Sequence, residues 1–412
     1  MLVVKKNGGD DMAWEKVKLK DVCTLIVDCP HSTAPNEGKG YPLIRTPNIG
    51  RGRLLLDGVH RVSKAVYDRR NIRAIPQEND LIFAREATAG NVAIVQKNEK
   101  VCLGQRTVLL RPDPKYVDSD YLVYCLLAPE QQYNLLGSAN GSTVAHVNLP
   151  VIRNLTISLP PLDVQKRIGQ VLKTYDDLIE NNRRQVRLLE EAAQRLYKEW
   201  FVKFHFPGWE ETKMVDGLPV GWKKGRAEDF FDITIGKTPP RAQQEWFENA
   251  GQGVPWLSIS DMGENNVFAF KTKESLTKEA VNKFHVNVLP QGTILVSFKL
   301  TVGRVVIAAT DLCTNEAIAH FPINDEIKEA YTFLYLKNFS YDTLGSTSSI
   351  SKAVNSKIIR AMPFIMPNDE ILSLFTKQVA PIMKKLYCLQ ITILKLQEAR
   401  DRLLPRLMRE GS

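Results

Sequence analysis

Donor-rich polar side chains recur in short loops at two matching places along this chain. In the first half these are His31, Ser32 and Thr33, then Tyr41 beside Arg45, Thr46, Asn48, Arg51 and Arg53. The stretch 85–91 adds Arg85, Thr88 and Asn91, and a later one adds Asn140, Ser142, Thr143 and His146. In the second half the counterparts are Lys237, Thr238, Arg241, Gln243 and Gln244, then Ser258 and Ser260. Lys299, Thr301 and Arg304 follow, then Ser346, Ser348, Ser349 and Lys352. Arg, Lys, Asn and Gln read base edges in pairs of hydrogen bonds, while Ser, Thr and Lys hold phosphates. Taken singly, each such residue is more often a solvated loop side chain. The signal is collective, because polar positions change between the two halves while the apolar framework is kept.

Signatures of catalysis are missing. Gly236-Lys237-Thr238 resembles the end of a phosphate-binding loop, but Phe231 stands where its first glycine belongs. There is no glycine-rich loop suited to a nucleotide or S-adenosylmethionine, and no Asn-Pro-Pro-aromatic motif of amino-methyltransferases. His31, His60, His146, His205, His285 and His320 lie apart, without metal-ligand spacing. Glu86 next to Arg85 would suit a nuclease fragment, yet the repeat places Leu300 there, and a solvated ion pair is the simpler reading.

The elements that must position these loops come from a duplication. Trp14-Glu15-Lys16 returns as Trp222-Lys223-Lys224, and Asp21-Val22 as Asp229-Phe230. Ile75-Pro76-Gln77, Leu81-Ile82 and Gly90 return as Leu289-Pro290-Gln291, Leu295-Val296 and Gly303. Cys102 to Arg106 matches Cys313 to Ala317, and Leu189 to Arg195 matches Leu396 to Arg402. A period of roughly two hundred residues marks a duplicated domain, far longer than a solenoid repeat. The 412 residues, 44% hydrophobic, suffice for two cores. A net charge of +9 favours an anionic partner such as nucleic acid. No apolar run approaches a membrane span and the polar N-terminus is no signal peptide. Six scattered cysteines without C-x-x-C spacing predict buried reduced thiols, with no metal site, in a cytoplasmic protein.

Short apolar runs (Val92–Val95, Val108–Leu110, Val305–Ala308) alternate with helical stretches (Asp120–Ala128, Glu329–Lys337), which predicts an α+β class. Each globular part is followed by a long helix, the first opening after Pro160-Pro161 with Asp163 as its cap. Its apolar seam runs Ile168, Leu172, Tyr175, Ile179, Asn182, Val186, Leu189, Ala193, Leu196, Trp200. The second seam runs Phe375, Val379, Ile382, Leu386, Leu389, Ile393, Leu396, Arg400, Leu403, Leu407. The 4,3 spacing is that of a coiled coil, with Asn182 and Arg400 as polar seam residues. Helices of roughly 50–60 Å outrun a single globular unit, so they are expected to pair with each other. The linker from Phe204 to Gly221 is too short for a parallel arrangement, so the pair is expected to be antiparallel. The predicted segments are an extension at 1–12, expected to be disordered, a globular domain at 13–160, a helix at 161–206, a second domain at 207–368 and a second helix at 369–412.

With these features the chain resembles the specificity (S) subunit of type I restriction–modification systems. The resemblance runs from Trp14 to Arg409. It is carried by the Trp14-Glu15-Lys16-Val17-Lys18-Leu19 and Gly221-Trp222-Lys223 openings and by the central segment. That segment comprises Leu159-Pro160-Pro161-Leu162, Gln165, Ile179-Glu180-Asn181-Asn182, Leu188-Leu189-Glu190 and Leu196-Tyr197-Lys198-Glu199-Trp200-Phe201. The resemblance implies two target-recognition domains joined by an antiparallel coiled coil, each reading half of an interrupted double-stranded DNA site in a phage-defence system. It implies two modification (methyltransferase) subunits docked on the helices, and restriction (endonuclease and translocase) subunits joining them. S-adenosylmethionine, ATP and Mg would belong to those partners, with no cofactor on this chain, which would be non-catalytic by itself. A helix pair of roughly 50 Å would span at most about 15 base pairs. The C-terminal copy departs from the pattern, with Leu404-Pro405-Arg406-Leu407 in place of the aromatic ending Tyr197-Lys198-Glu199-Trp200. Other readings are a specificity subunit whose partner fuses methylase and nuclease, a pseudo-dimeric enzyme with a cleft between its halves, and a stand-alone regulator of an interrupted operator.

Overall fold

The duplication read in the sequence is a duplication of topology. A computed structural model describes residues 14–137, 146–264, 267–345 and 354–409. They form two compact units, one built from residues up to Glu180 together with those from Lys395 onward, the other from Asn181–Leu394.

In the first unit a five-stranded sheet runs in the order Cys23–Asp28, Thr107–Pro112, Leu81–Ala84, Val92–Ile94, Gly52–Arg53. The second unit repeats it as Thr234–Ile235, Ile318–Phe321, Ile294–Ser297, Val305–Ala308, Phe268–Ala269. In both sheets only the last pairing is parallel. A smaller sheet in each unit contains a parallel pair, Leu43 opposite Cys102 and Trp256 opposite Cys313. The second unit adds one strand to it, Phe247–Asn249. A two-stranded ribbon joins the start of each globular part to its end: Glu15–Lys18 with Thr156–Leu159, and Lys223–Arg226 with Pro363–Met366.

The strand Leu81–Ala84 is apolar at every position because both of its faces are covered. Leu81 and Phe83 enter one core with the helix Ser119–Leu127, while Ile82 and Ala84 enter another with Ile44 and Leu103. The helices expected at Asp120–Ala128 and Glu329–Lys337 are Ser119–Leu127 and Glu326–Asn338. Pairing also corrects the repeat register by one residue. Gly90 N donates to Ala84 O as Gly303 N donates to Ser297 O, so Leu300 matches Ala87 and Lys299 matches Glu86. Burial pushes the Cys102 thiol up to about 11 and the Cys125 and Cys313 thiols up to about 12. Cys388, in contrast to the expectation of uniform burial, is exposed.

The two long helices span Leu162–Tyr197 and Asp369–Leu407, 36 and 39 residues, hence about 54 and 58 Å long. Leu162 is already helical, so Asp163 lies inside the first turn, where it pairs with Arg167 rather than capping. In the first unit, Leu404 enters the same core as Ile168 and Leu172. In the second, Phe375 packs edge-on against Phe201, with ring centroids 4.8 Å apart. Late residues of the terminal helix thus meet early residues of the central helix, and early meet late. The pair is antiparallel.

Of the predicted seam, Ile168, Leu172, Ile179, Val186, Phe375, Val379, Leu386, Leu389 and Ile393 are buried. Tyr175, Asn182, Leu189, Leu196, Ile382, Leu396, Arg400 and Leu403 are half-buried. The inward stripe is wider than a two-position seam, for Gln165, Asp176, Leu372, Met383 and Gln390 are buried as well. Both helices are divided between the units, and in each unit both helix segments pack on the sheet-bearing part. Lys173 meets Asp120 and Leu404 enters the sheet core in the first, and Glu190 meets Lys337 and Gln390 accepts from Phe268 N in the second. Gly169 permits this closeness, since a Cβ there would sit 2.8 Å from the Tyr121 backbone N. The central helix ends in a π-helical turn, Lys198–Val202, whose wider winding lets the neighbours Trp200 and Phe201 both turn inward beside Tyr197.

Candidate nucleic-acid interface

Four loops converge at one end of the large sheet in the first unit. Gln105 Nε2 donates to His31 O (2.8 Å) and Gly104 N to Ile44 O (2.7 Å). Arg85 N donates to Arg106 O, Thr88 Oγ1 to Thr46 O and Asn91 Nδ2 to Ile49 O. These bonds tie residues 30–33, 45–49, 85–91 and 104–106 into one cluster. The second unit builds the same frame: Thr238 Oγ1 donates to Glu316, Asn315 N to Leu257 O (3.1 Å) and Phe298 N to Ala317 O (2.9 Å). Even the turn is shared, for Arg45 N donates to the side-chain Oδ1 of Asn48 (3.2 Å) as Ser258 N donates to the Asp261 carboxylate (2.9 Å).

One frame therefore presents different chemistry in each unit. Arg45 answers to Ser258, Gln105 to Glu316, Arg106 to Ala317, Glu86 to Lys299 and Ala87 to Leu300. In the first unit Ser32, Thr33, Arg45, Arg70, Gln105 and Arg106 surround a cleft of about 280 Å³. The Arg45 Nε is buried there without a hydrogen-bond partner among the described residues. Arg45 thus holds unspent donor capacity beside the hydroxyls of Ser32 and Thr33. Gly104 leaves room for it, because a Cβ would stand 2.9 Å from Arg45 Cγ. Gln105 and Arg106 escaped the sequence reading. The change of Gln105-Arg106 to Glu316-Ala317 inside an otherwise matching segment was the available signal.

Other predicted residues are engaged within the protein. Arg85 is buried against Asp28 (2.8 Å), donates Nε to Val147 O and lies 3.0 Å from His146 Nε2. Glu86 binds His146 Nδ1 (2.6 Å) and Arg106 (2.8 Å), so the expected solvated Arg85–Glu86 pair is instead a partly buried network in which neither is the other's partner. Arg53 pairs with Asp177 on the central helix, and Arg51 donates to Leu127 O. Tyr41 stacks on Tyr67 (4.2 Å), and Asn48 caps its turn and donates to Leu55 O.

In the second unit Arg241 forks onto Glu274 (2.8 Å to each oxygen) and lies over the Phe247 and Trp256 rings. Gln243 accepts from Trp246 Nε1, Gln244 donates to Arg241 O and Ser260 accepts from Lys273. Arg304 donates to Ile259 O, and Ser258 is bonded to Asp261. His31, Ser32, Thr33, Lys237, Lys299 and Thr301 are exposed on the loop cluster. Asn140, Ser142, Thr143, Ser346, Ser348, Ser349 and Lys352 lie outside the described residues, as does the 1–12 extension. No group of metal-binding side chains occurs among the described residues, and none of their helices is long and apolar enough to cross a membrane.

Each unit is a binding module of one class, a shared loop frame on which the donor and acceptor side chains are exchanged. The chain belongs to the type I restriction modification DNA specificity domain family, whose pattern matches residues 12–191 and again 219–400. It is similar to the type I restriction enzyme HindI specificity subunit of Haemophilus influenzae, with 25% identity over 73% of this chain and 79% of that one. The MjaIX specificity subunit of Methanocaldococcus jannaschii is also 25% identical, over 96% of this chain and 92% of its own length. The fold is that of the type I restriction-modification S subunit from M. genitalium, at a TM-score of 0.57, 14% identity and 99% coverage of both chains. The chain is a DNA sequence-recognition subunit.

Proposed function

We propose that each unit reads one half of a bipartite, interrupted DNA site and that the paired helices set the spacing between the halves. The observation that supports this most is the shared loop frame with exchanged side chains, Arg45, Gln105 and Arg106 against Ser258, Glu316 and Ala317. A common frame meets duplex DNA in a common way, while different donors and acceptors select different base edges. In this reading the segments 13–160 and 207–368 are the recognition domains, and 161–206 and 369–412 are the spacer. Two modification subunits dock on that spacer and on the domains, and restriction subunits join the complex in the cytoplasm. The chain itself is non-catalytic. S-adenosylmethionine, ATP and Mg are bound by the partners. The test is adenine-methylation sequencing of host genomes with and without this gene. The expected result is one asymmetric interrupted motif that disappears with the gene, and an unchanged methylome would contradict the proposal.

A further inference from the structure

The turn joining Ile294–Ser297 to Val305–Ala308 carries a large apolar side chain that faces solvent. Leu300 is 95% exposed. Its φ of +59° lies in the left-handed region, which bulky side chains avoid and glycine or asparagine adopt cheaply. The conformation belongs to the turn, since Ala87 at the matching position has φ +60°. The turn therefore explains the backbone, and it leaves the choice of leucine to be explained.

This turn is stiff. Ser297 Oγ donates to Thr301 O (2.5 Å) and accepts from Arg304 N (3.0 Å), and Gly303 N donates to Ser297 O (2.9 Å). Gly303 lies so close to the Tyr341 ring that a Cβ would approach it to 2.8 Å. The leucine is presented on a braced tip rather than a floppy one. Lys299, beside it, is exposed. Phe298 N bonds Ala317 O and so fixes the tip to the loop cluster proposed to face DNA.

We infer that Leu300 is a wedge that enters a base step of the half-site read by the second unit, unstacking it while Lys299 holds an adjoining phosphate. Rigid apolar side chains flanked by cations unstack base steps in this manner, and the cost of opening the step varies with its sequence. Leu300 would then select flexible steps without touching a base edge. The first unit, with Ala87 at its tip, has no wedge, so distortion is confined to one half-site. This rests on the DNA-reading function proposed above.

The test uses the full chain assembled with its modification subunit, and duplexes carrying the motif found by methylation sequencing. 2-Aminopurine is placed in turn at steps other than the methylated adenines. The expected result is a several-fold fluorescence rise at one step of the second half-site only, lost in Leu300→Ala and kept in Leu300→Met, with assembly intact by size exclusion. No rise at any step in a complex that still methylates the motif overturns the wedge and leaves the DNA-reading function standing. A rise that Leu300→Ala leaves unchanged also overturns it, as does loss of assembly in that variant, which would make Leu300 a protein contact. A complex that methylates no motif overturns both.

Discussion

In the first unit the end of the terminal helix is fastened by charge, and in the second unit its beginning is fastened by rings. Arg400 Nη1 lies 2.5 Å from Asp176, whose other oxygen accepts from Tyr124 OH at 2.6 Å. Both members of the ion pair are largely removed from solvent. In the second unit Phe201 meets Phe375, Tyr331 and Trp222 with centroids 4.8, 4.6 and 5.7 Å away. Leu189 corresponds to Leu396, so the repeat partners of Arg400 and Asp176 are Ala193 and Met383, both buried and apolar. The duplication was thus resolved into two unlike joints. Rings contribute mainly burial energy, to which edge-to-face contacts add, whereas a desolvated ion pair adds little net stability and penalises any register that leaves one charge alone. The charged joint specifies which residues meet. The aromatic joint supplies cohesion.

The largest effect is expected at the rings. Phe201→Ala should cost about 3–5 kcal/mol by the usual scale for buried aromatics, read as lost amide protection confined to 181–394 in hydrogen exchange. Equal loss in both units would erase the distinction between the joints. Next comes the charge: Arg400→Leu strands Asp176 and should cost about 3 kcal/mol, most of it recovered in Asp176→Leu/Arg400→Leu. Denaturant melts of the single and double variants measure this, and a double variant as unstable as the single would contradict the assignment.

A smaller, pH-dependent difference is expected from His320 in the second unit. It is buried between Thr234 Oγ1 (2.8 Å) and Thr314 Oγ1 (2.7 Å), and burial lowers its pKa to about 4 from the ordinary 6.5. The unfolded chain takes up this proton first, so stability is full above pH 6.5 and falls as the pH drops toward 4. The loss is on the order of 3 kcal/mol. His320→Gln should flatten that slope in thermal melts across this window. The smallest effect concerns reading alone: Arg45→Ala should lose about 1–3 kcal/mol of discrimination at one position of one half-site, with folding unchanged. Competition binding with single-base variants of the motif would show it, and uniform weakening across all bases would make Arg45 a phosphate contact instead.

Much of this architecture was legible because periodicity and duplication are set by burial. The 4,3 run from Ile168 to Val186 could only be an inward stripe, and Arg400, a charge within such a stripe, had to find a partner. The match of Cys102–Arg106 with Cys313–Ala317 marked equivalent positions, while the parallel strand pairing there was not legible and emerged only from the fold. The interface was less legible, since an arginine in a polar loop looks the same whether it faces DNA or its own protein. Arg53 is used by Asp177 of a helix more than a hundred residues away in sequence, and Arg85 by Asp28 and His146. Such pairings depend on which loops the sheet brings together. Gln105 and Arg106 were missed for the same reason, as they follow a buried strand and carry no motif.

Independent reading by the two units on a shared frame is the feature on which the proposed function stands. Its most direct test is to replace residues 45–48 and 104–106 together with those of a relative recognising a different site, and to sequence the methylated motif in the host. The expected result is a changed first half-site with the second half-site and the spacer length intact. A motif altered in both halves, or in neither, would contradict it.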